Sequence, residues 1–327
     1  MRVLVTGGRG LVGTATVQAL TQAGHDVTTF QRTSSGIGVR EVLGDIGDVD
    51  AVRRAVEGQD AVVHSAARVS IAGGWAEFER VNVDGTKIVL EASRRAGVSR
   101  AVYVSSPSVA HAGHALVGVE AGPADPQGAR GNYARSKAIA ELACLAAASD
   151  TFAVCAIRPH LVWGPGDTQL IERIIDRARS GRLALIGSGL ALIDTTYVDN
   201  AASALAAAVE CANTPEVRGQ AFVVSNGEPR TVAELLARIV QAAGLPAPRR
   251  HIPVVAARLG GRLAERIWTD GEPPMTEFLA EQLSTAHWFD QRRTRAALRW
   301  TPTVGLDEGF DRLRAWATGE PAGPVMP

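Results

Sequence analysis

An α/β fold, a doubly wound parallel sheet with a smaller C-terminal lobe, is predicted by three features of this 327-residue chain. Short β-branched runs alternate with longer Ala/Leu/Arg segments of helical period. The runs are almost continuously apolar, as strands covered on both faces are. A glycine-rich turn joins the first run to the first helical segment, which is where such sheets usually begin.

Taken in order, run 3–6 leads into a helical segment at 11–23, and runs 27–30 and 61–64 follow, the latter leading into a helix at 75–96. Segment 51–56, run 101–105, a helix at 133–148 and run 152–158 complete the pattern. The linking segments are long enough for right-handed crossovers. Residues 1–158 are therefore the sheet domain, with a return segment near 193–225. Past Pro159 the rhythm changes to a Gly/Pro-rich loop at 163–168, a helix at 169–180, a turn around Gly187-Ser188-Gly189 and a mixed region from 220. Residues 159–192 and 226–318 are read as the smaller lobe, and the Pro/Gly-rich stretch 319–327 as a frayed tail. Within the lobe, Val255, Leu259, Leu263 and Ile267 recur every fourth residue while Arg258, Arg262 and Arg266 line another face. That is an amphipathic helix over 252–267. Docking of its apolar side on the lobe's own core is expected; a lid over an apolar ligand and a weak membrane-surface contact are the alternatives.

Composition narrows the function classes. With 46% hydrophobic and 21% charged residues and no net charge, the chain is neither disordered nor a basic nucleic-acid binder. Apolar stretches such as 201–212 contain Glu210 and are too short to cross a bilayer. Cys144, Cys155 and Cys211 are too few and too scattered for a disulfide framework, and no metal site is expected. A reducing cytoplasm is the expected location, since Met1-Arg2 passes straight into a strand without a signal segment.

The turn after the first strand reads Thr6-Gly7-Gly8-Arg9-Gly10-Leu11-Val12-Gly13. Glycine tolerates positive φ at the turn, lets the backbone approach a pyrophosphate, and allows close helix–strand packing, with the phosphate at the helix N-terminus. In this strand–turn–helix context it predicts a Rossmann-type dinucleotide site. The second strand ends Phe30-Gln31-Arg32, without the acid that would hold a ribose 2′-hydroxyl. Arg9 and Arg32 instead offer guanidinium forks, which suit a 2′-phosphate. NADP(H) is predicted over NAD(H); the alternative is that both arginines are solvated surface groups. Asp45 and Ile46 after the third strand, and Ser65, Ala66 and Ala67 after the fourth, border the same site.

Tyr133 and Lys137 lie four residues apart, on one face of a helix. The chain has three tyrosines and two lysines, Lys87 and Lys137, so the pairing is rarely accidental. A tyrosine near pKa ~10 needs a cationic neighbour to exchange protons near neutrality, and Lys137 is expected to lower it. Strand 101–105 ends in Ser105-Ser106, where a serine can orient a carbonyl oxygen; Ser106 is the first choice and Ser105 the second.

These motifs, together with HSAA at 64–67, NVDGT at 82–86, YVSS at 103–106, IRPHLVWGPGD at 157–167 and TYVDN at 196–200, resemble the extended short-chain dehydrogenase/reductases. Within them the chain is most similar to the 3β-hydroxysteroid dehydrogenase-like branch. Segments 225–229 and 271–290 resemble the 2-alkyl-3-oxoalkanoate reductases of bacterial olefin synthesis. The resemblance implies Tyr133 as acid/base, Lys137 on the nicotinamide ribose, Ser106 on the substrate carbonyl, Asn82 supporting the site and Pro159 beside the nicotinamide. It further implies substrate contacts through Ser106, Ser108, His160 and Tyr197, and a homodimer formed through helices 75–96 and 132–149. Pro107-Ser108 stand where the superfamily's dehydratases carry Asp-Glu, so elimination of water is not expected. Trp268, Phe278, Leu279, Trp288 and Phe289 suit an acyl chain or sterol, unless they form the lobe's core. His111, His114 and His160 are candidate carboxylate partners. The implied reaction is NADPH-dependent reduction of a 3-keto group on a hydrophobic substrate. A 3β-hydroxysteroid or sterol dehydrogenase and a non-catalytic dinucleotide sensor are the alternatives.

Overall fold

The computed structural model describes residues 1–70, 73–110, 113–268 and 275–319. Strand β1 (Arg2–Thr6) runs through the glycine turn into α1 (Leu11–Gln22), followed by β2 (Asp26–Gln31), β3 (Arg40–Leu43) and α2 (Val49–Val56). Asp48 starts α2 by accepting from the amides of Asp50 and Ala51. After β4 (Ala61–His64), the segment expected as one helix over 75–96 is α3 (Trp75–Phe78), a π-helical stretch Glu79–Asp84 and α4 (Gly85–Arg95). Then come β5 (Arg100–Val104), a 3₁₀ turn Pro107–Ala110, β6 (Leu116–Val119), α5 (Gly131–Ala146) and β7 (Ala153–Pro159). The remaining elements are β8 (Val162–Trp163), α6 (Ile171–Arg179), β9 (Leu185–Ile186), β10 (Leu192–Ile193), β11 (Thr196–Tyr197), α7 (Val198–Cys211) and β12 (Ala221–Val224). They continue with β13 (Arg230–Thr231), α8 (Val232–Ala242), β14 (His251–Ile252), α9 (Val254–Ile267), α10 (Glu277–Gln282), β15 (His287–Phe289), α11 (Arg292–Leu298) and α12 (Leu306–Thr318).

Seven parallel strands form the main sheet in the order β12-β7-β5-β4-β1-β2-β3. Chain order reverses between β1 and β4, which pair Thr6 with His64, so a crevice opens at the carboxyl ends of these strands. Val3 and Val5 point into the core beneath α1 and α7, and Leu4 into the core beneath α2, α4 and α5. Burying each such side chain contributes about 1.5–3 kcal/mol, and both faces being covered explains why the strands lack polar alternation. Leu298 and Trp300 join the first of these cores from the far end of the chain.

The smaller lobe has its own core around Trp163, Ile171, Ile175, Leu235, Leu236, Phe310 and Leu313. Leu11 and Ala15 of α1 pack against it, so the helix that begins at the glycine turn touches both halves. A second sheet, ordered β13-β10-β15-β6, draws residues 116–119 out of the first half and into the lobe.

Helix α9 departs from the expected docking. Val255, Leu259 and Leu263 are 69%, 59% and 59% exposed. The buried side instead carries Ala257 and Gly261, and a Cβ on Gly261 would meet the backbone of Glu277 and Thr276 at 2.5 Å. Arg258 and Arg262 clamp this contact by pairing with Glu277 at 3.2 and 2.5 Å. Close approach of small residues and ion pairs outcompetes burial of the larger apolar side chains. The tail beyond residue 319 lies outside the described residues, as do the side chains of Arg266 and Ile267.

Candidate active site

Helix α5 lies across the carboxyl end of β5. Lys137, 2% exposed, donates from Nζ to the Val104 carbonyl at 2.6 Å and sits 4.1 Å from the Tyr103 ring centroid. One turn earlier, Tyr133 interacts with the Ser106 side chain at the end of the same strand. Ser108 donates to the Ser106 hydroxyl oxygen from its own hydroxyl at 2.9 Å and from its amide at 3.3 Å. The structure thus brings Ser106, Ser108 and Tyr133 together, with Lys137 one turn further along the same helix. Ser105 lies behind them, its amide on the Ile157 carbonyl at 2.7 Å and its buried hydroxyl without a protein partner.

The electrostatics differ from expectation. Burial pushes the Tyr133 phenol up to about 12, and the Ser106 interaction only partly opposes it. Burial also lowers Lys137 to about 8, against the pull of Cys144 and Glu141. Desolvation penalises every charged form, and the ammonium is engaged by a carbonyl and a ring. Before any coenzyme charge is added, the phenol therefore holds its proton throughout the neutral range, which is the form a proton donor requires.

Supporting contacts fix the geometry. Asn82, in the π-helical stretch, accepts from the Arg68 amide at 2.7 Å and donates to the Arg68 carbonyl at 3.1 Å and to Ser136 Oγ at 2.9 Å. Ser136 donates in turn to the Tyr133 carbonyl at 2.8 Å. His64 bridges Thr6 and Thr86 at 2.7 and 3.0 Å, and burial together with the Lys137 charge drops its pKa to about 3. Behind Lys137, Glu141 and Arg158 form an ion pair with side chains 0% and 1% exposed, tying α5 to the strand that ends in Pro159. Neither Glu141 nor Arg158 was a candidate from sequence; Glu141 lies four residues beyond Lys137, the one spacing that could have signalled it.

The glycine turn has the shape of a phosphate cradle. Gly7 has φ +74°, and a Cβ there would lie 2.8 Å from the Ala66 amide nitrogen; at Gly13 it would lie 2.2 Å from the Gly7 carbonyl oxygen. Gly10 caps α1 without a side-chain bond, and no acid lies in the first turn, leaving its amides for an anion. Of the flanking residues, Leu11 packs on the lobe core and Val12 on the sheet core. The Ser65 amide bonds the Thr6 carbonyl, and the Ala66 amide bonds Thr6 Oγ1, which carries Ala67 past the turn. Asp45 accepts from the Gly47 amide at 2.8 Å and faces Arg80 at 3.7 Å, while Ile46 is buried against Gly85.

At the far end of the cradle, Arg9 and Arg32 are exposed, and Arg9 donates to Thr33 Oγ1 at 2.7 Å. Gln31 donates to Thr29 Oγ1 and to Glu41 Oε1, while its own Oε1 is buried without a partner beside Gly8. Glu41 is a neighbour that reading β2 alone misses. Hydrogen bonds from Ser34 and Ser35 hold its pKa at about 2, so an ionised carboxylate stands in this corner. It sits on β3, and only the strand register, Thr29 opposite Glu41, brings it there.

Several expected substrate contacts are not brought to this site. His160 is 6% exposed, its Nδ1 bonded to the Asp194 carbonyl and its ring 5.0 Å from that of Phe289. Tyr197 is 2% exposed and packs edge-on against Trp163 in the lobe core. Both fill cores and line no open face. His114 is exposed, and His111 falls outside the described residues. The lobe aromatics divide: Phe289 is buried, Trp288 covers Gly118, and Trp268 is 49% exposed.

A strand-end serine beside a Tyr/Lys pair, reached by a glycine cradle, is dehydrogenase geometry. The model of the 3-beta hydroxysteroid dehydrogenase/isomerase family matches residues 4–254. The chain belongs to that family. A 2-alkyl-3-oxoalkanoate reductase of Stenotrophomonas maltophilia (strain K279a) is 41% identical, covering 96% of this chain and 99% of that protein. A 3 beta-hydroxysteroid dehydrogenase/Delta 5-->4-isomerase of Mycobacterium tuberculosis (strain ATCC 25618 / H37Rv) is 34% identical, covering 92% and 86%. Among solved structures, MoeE5 in complex with UDP-glucose and NAD has a TM-score of 0.73 at 25% identity, covering 98% of this chain and 99% of that one. This member of the 3-beta hydroxysteroid dehydrogenase/isomerase family is an extended short-chain dehydrogenase/reductase, an NAD(P)-dependent oxidoreductase with a Rossmann-type sheet.

Proposed function

We propose that the protein reduces the 3-keto group of a 2-alkyl-3-oxoalkanoic acid to the 2-alkyl-3-hydroxy acid, with NADPH as reductant and Tyr133 as proton donor. The observation that carries this reading is the Ser106–Tyr133–Lys137 group, in which Lys137 is buried, Ser106 and Tyr133 are half-buried, and the phenol is pushed up to about 12. The name of the 41% identical relative supports the substrate class.

A bound dihydronicotinamide supplies the hydride that converts the carbonyl carbon to a carbinol. Ser106 donates to the ketone oxygen and holds it against the phenol. Tyr133 delivers its proton to that oxygen as negative charge develops, a contribution of about 10²–10⁴-fold. Lys137 anchors the ribose, with Val104 and Tyr103 setting its position. Gly7, Gly10 and Gly13 admit the pyrophosphate, and Ser65, Ala66 and Ala67 leave room for the coenzyme to pass. Asp45 would meet the adenine amino group, and Arg9 with Arg32 would hold the 2′-phosphate. Glu41 accepts from Ser34, Ser35 and Gln31 and stays ionised, so the two arginines must outweigh its charge for a 2′-phosphate to be preferred.

The test is oxidation of NADPH by the purified protein with a panel of 2-alkyl-3-oxoalkanoic acids, 3-ketosteroids and simple ketones. The acids should be turned over best, and Tyr133→Phe should lose at least 10²-fold in kcat with coenzyme affinity retained. Turnover that survives in Tyr133→Phe would overturn the proton donor. Preferred turnover of 3-ketosteroids would overturn the substrate. Replacing both Arg9 and Arg32 by Ala should cut the NADPH/NADH ratio of kcat/KM by roughly tenfold or more, since each charge-assisted bond contributes about 1.5–3 kcal/mol.

A further inference from the structure

Helix α5 carries its phenol at the point where the helix supports itself least. Tyr133 is the third residue of α5, Gly131 before it has φ +83°, and the N-cap residue Arg130 makes no side-chain capping bond. Amides of a first turn have no partner within the helix, and such ends fray unless something outside holds them. On the C-terminal side Ser136 donates to the Tyr133 carbonyl. The residues before Tyr133 are held from distant parts of the chain.

Asn132 donates from Nδ2 to the Gly73 carbonyl at 2.9 Å. Arg130 donates from Nη1 to both carboxylate oxygens of Glu281, each at 2.9 Å, across 151 positions of sequence. The Glu281 side chain is 5% exposed, and Arg258 meets it at 2.8 Å. Glu281 is anchored in the lobe, since its neighbour Ala280 is buried with Ile186 and Ala257. The same Arg130 guanidinium lies against Gly113, where a Cβ would come within 2.6 Å of it, in the segment that follows the 3₁₀ turn after Ser106. One ion pair therefore joins the lobe, the start of α5 and the chain leaving the strand-end serine. A buried carboxylate between two guanidinium groups cannot move away without stranding a charge, so it is a firm anchor for the turn.

We infer that Arg130 and Glu281 are positioning residues for proton donation: through Glu281 the lobe sets where the Tyr133 phenol stands relative to Ser106. The inference rests on the proposed role of Tyr133. Each residue acts through the first turn of α5 and not on the ketone itself. Proton and hydride delivery to one carbonyl demand a narrow geometry, and a shift of about 1 Å in a reacting group costs up to roughly 10²-fold in rate.

The experiment compares Arg130→Gln, Glu281→Gln, the double variant and Arg130→Lys with the unmodified full-length protein. It measures reduction of a 2-alkyl-3-oxoalkanoic acid with NADPH, coenzyme binding, and hydrogen exchange at residues 131–134. Each Gln variant should lose about tenfold or more in kcat per coenzyme-binding site, with coenzyme affinity within about twofold. The double variant should fall no further than the lower single one, because both residues lie on one path. Arg130→Lys keeps the charge and should recover part of the loss. Exchange at 131–134 should quicken roughly tenfold in both Gln variants, the change expected for losing one charge-assisted bond. Arg130 is 40% exposed, so its replacement keeps the test open if Glu281→Gln fails to fold. A kcat within about twofold of the unmodified value in either folded Gln variant would overturn the inference. Additive losses in the double variant, or unchanged exchange, would overturn it as well. If the unmodified protein reduced no ketone, the ketoreductase reading would fall, and the exchange comparison would still decide whether Glu281 holds the turn.

Discussion

Helices α5 and α9 treat polarity in opposite ways. Helix α5 carries Lys137 and Glu141 into the interior and buries them, 2% and 0% exposed, among alanines and Cys144. Helix α9 has the cleaner apolar stripe and leaves it in solvent. What separates them is the partner each meets. Arg158, the Val104 carbonyl and the Tyr103 ring receive the charges of α5, whereas α9 meets a backbone that only Gly261 can approach. A hydropathy pattern states what a helix can bury; the neighbour decides what it does bury.

The contrast can be broken at its strongest point first. Arg158→Met strands the buried Glu141 carboxylate and should cost about 3–5 kcal/mol in denaturant unfolding; a loss under 1 kcal/mol would mean water reaches the pair. The dryness beside α5 can also be read through pH. The folded state keeps His64 neutral down to about 3, whereas the unfolded chain takes up a proton below ~6.5. Stability from this group is present above pH ~6.5 and falls by about 1.4 kcal/mol per pH unit below it. His64→Gln should flatten that slope in acid titrations of the melting curve. On the α9 side, Gly261→Ala forces a Cβ into the Thr276 and Glu277 backbone and should cost about 1–3 kcal/mol. The smallest effect belongs to Leu259→Gln, within about 0.5 kcal/mol in a thermal melt. A larger loss there would show that the stripe is packed after all.

Much of the site was legible because its chemistry is local in sequence. Gly7, Gly10 and Gly13 share one turn, Tyr133 and Lys137 one helical face, and Ser106 ends the strand beneath them. What escaped is non-local. Glu41 reaches the Gln31 corner only through the β2–β3 register, and Glu141 meets Arg158 only because α5 packs on β7. His160 and Tyr197 sit in motifs of the family, but nothing in a motif reveals that Asp194, Phe289 and Trp163 would enclose their rings. The expected lowering of the Tyr133 pKa is not found: burial raises it, and the Lys137 ammonium that spacing put one turn away is engaged by the Val104 carbonyl and the Tyr103 ring.

Periodicity and glycine spacing were enough for this chain to specify a parallel sheet, a dinucleotide turn and a Tyr/Lys pair, because backbone sterics and helical repeat act over a few residues. Packing alone settled which acids stand near the cradle, how strongly burial resists ionisation of the phenol, and which side of α9 meets solvent. Those are sums over neighbours distant in the chain, and desolvation and close approach exist only once the neighbours have met.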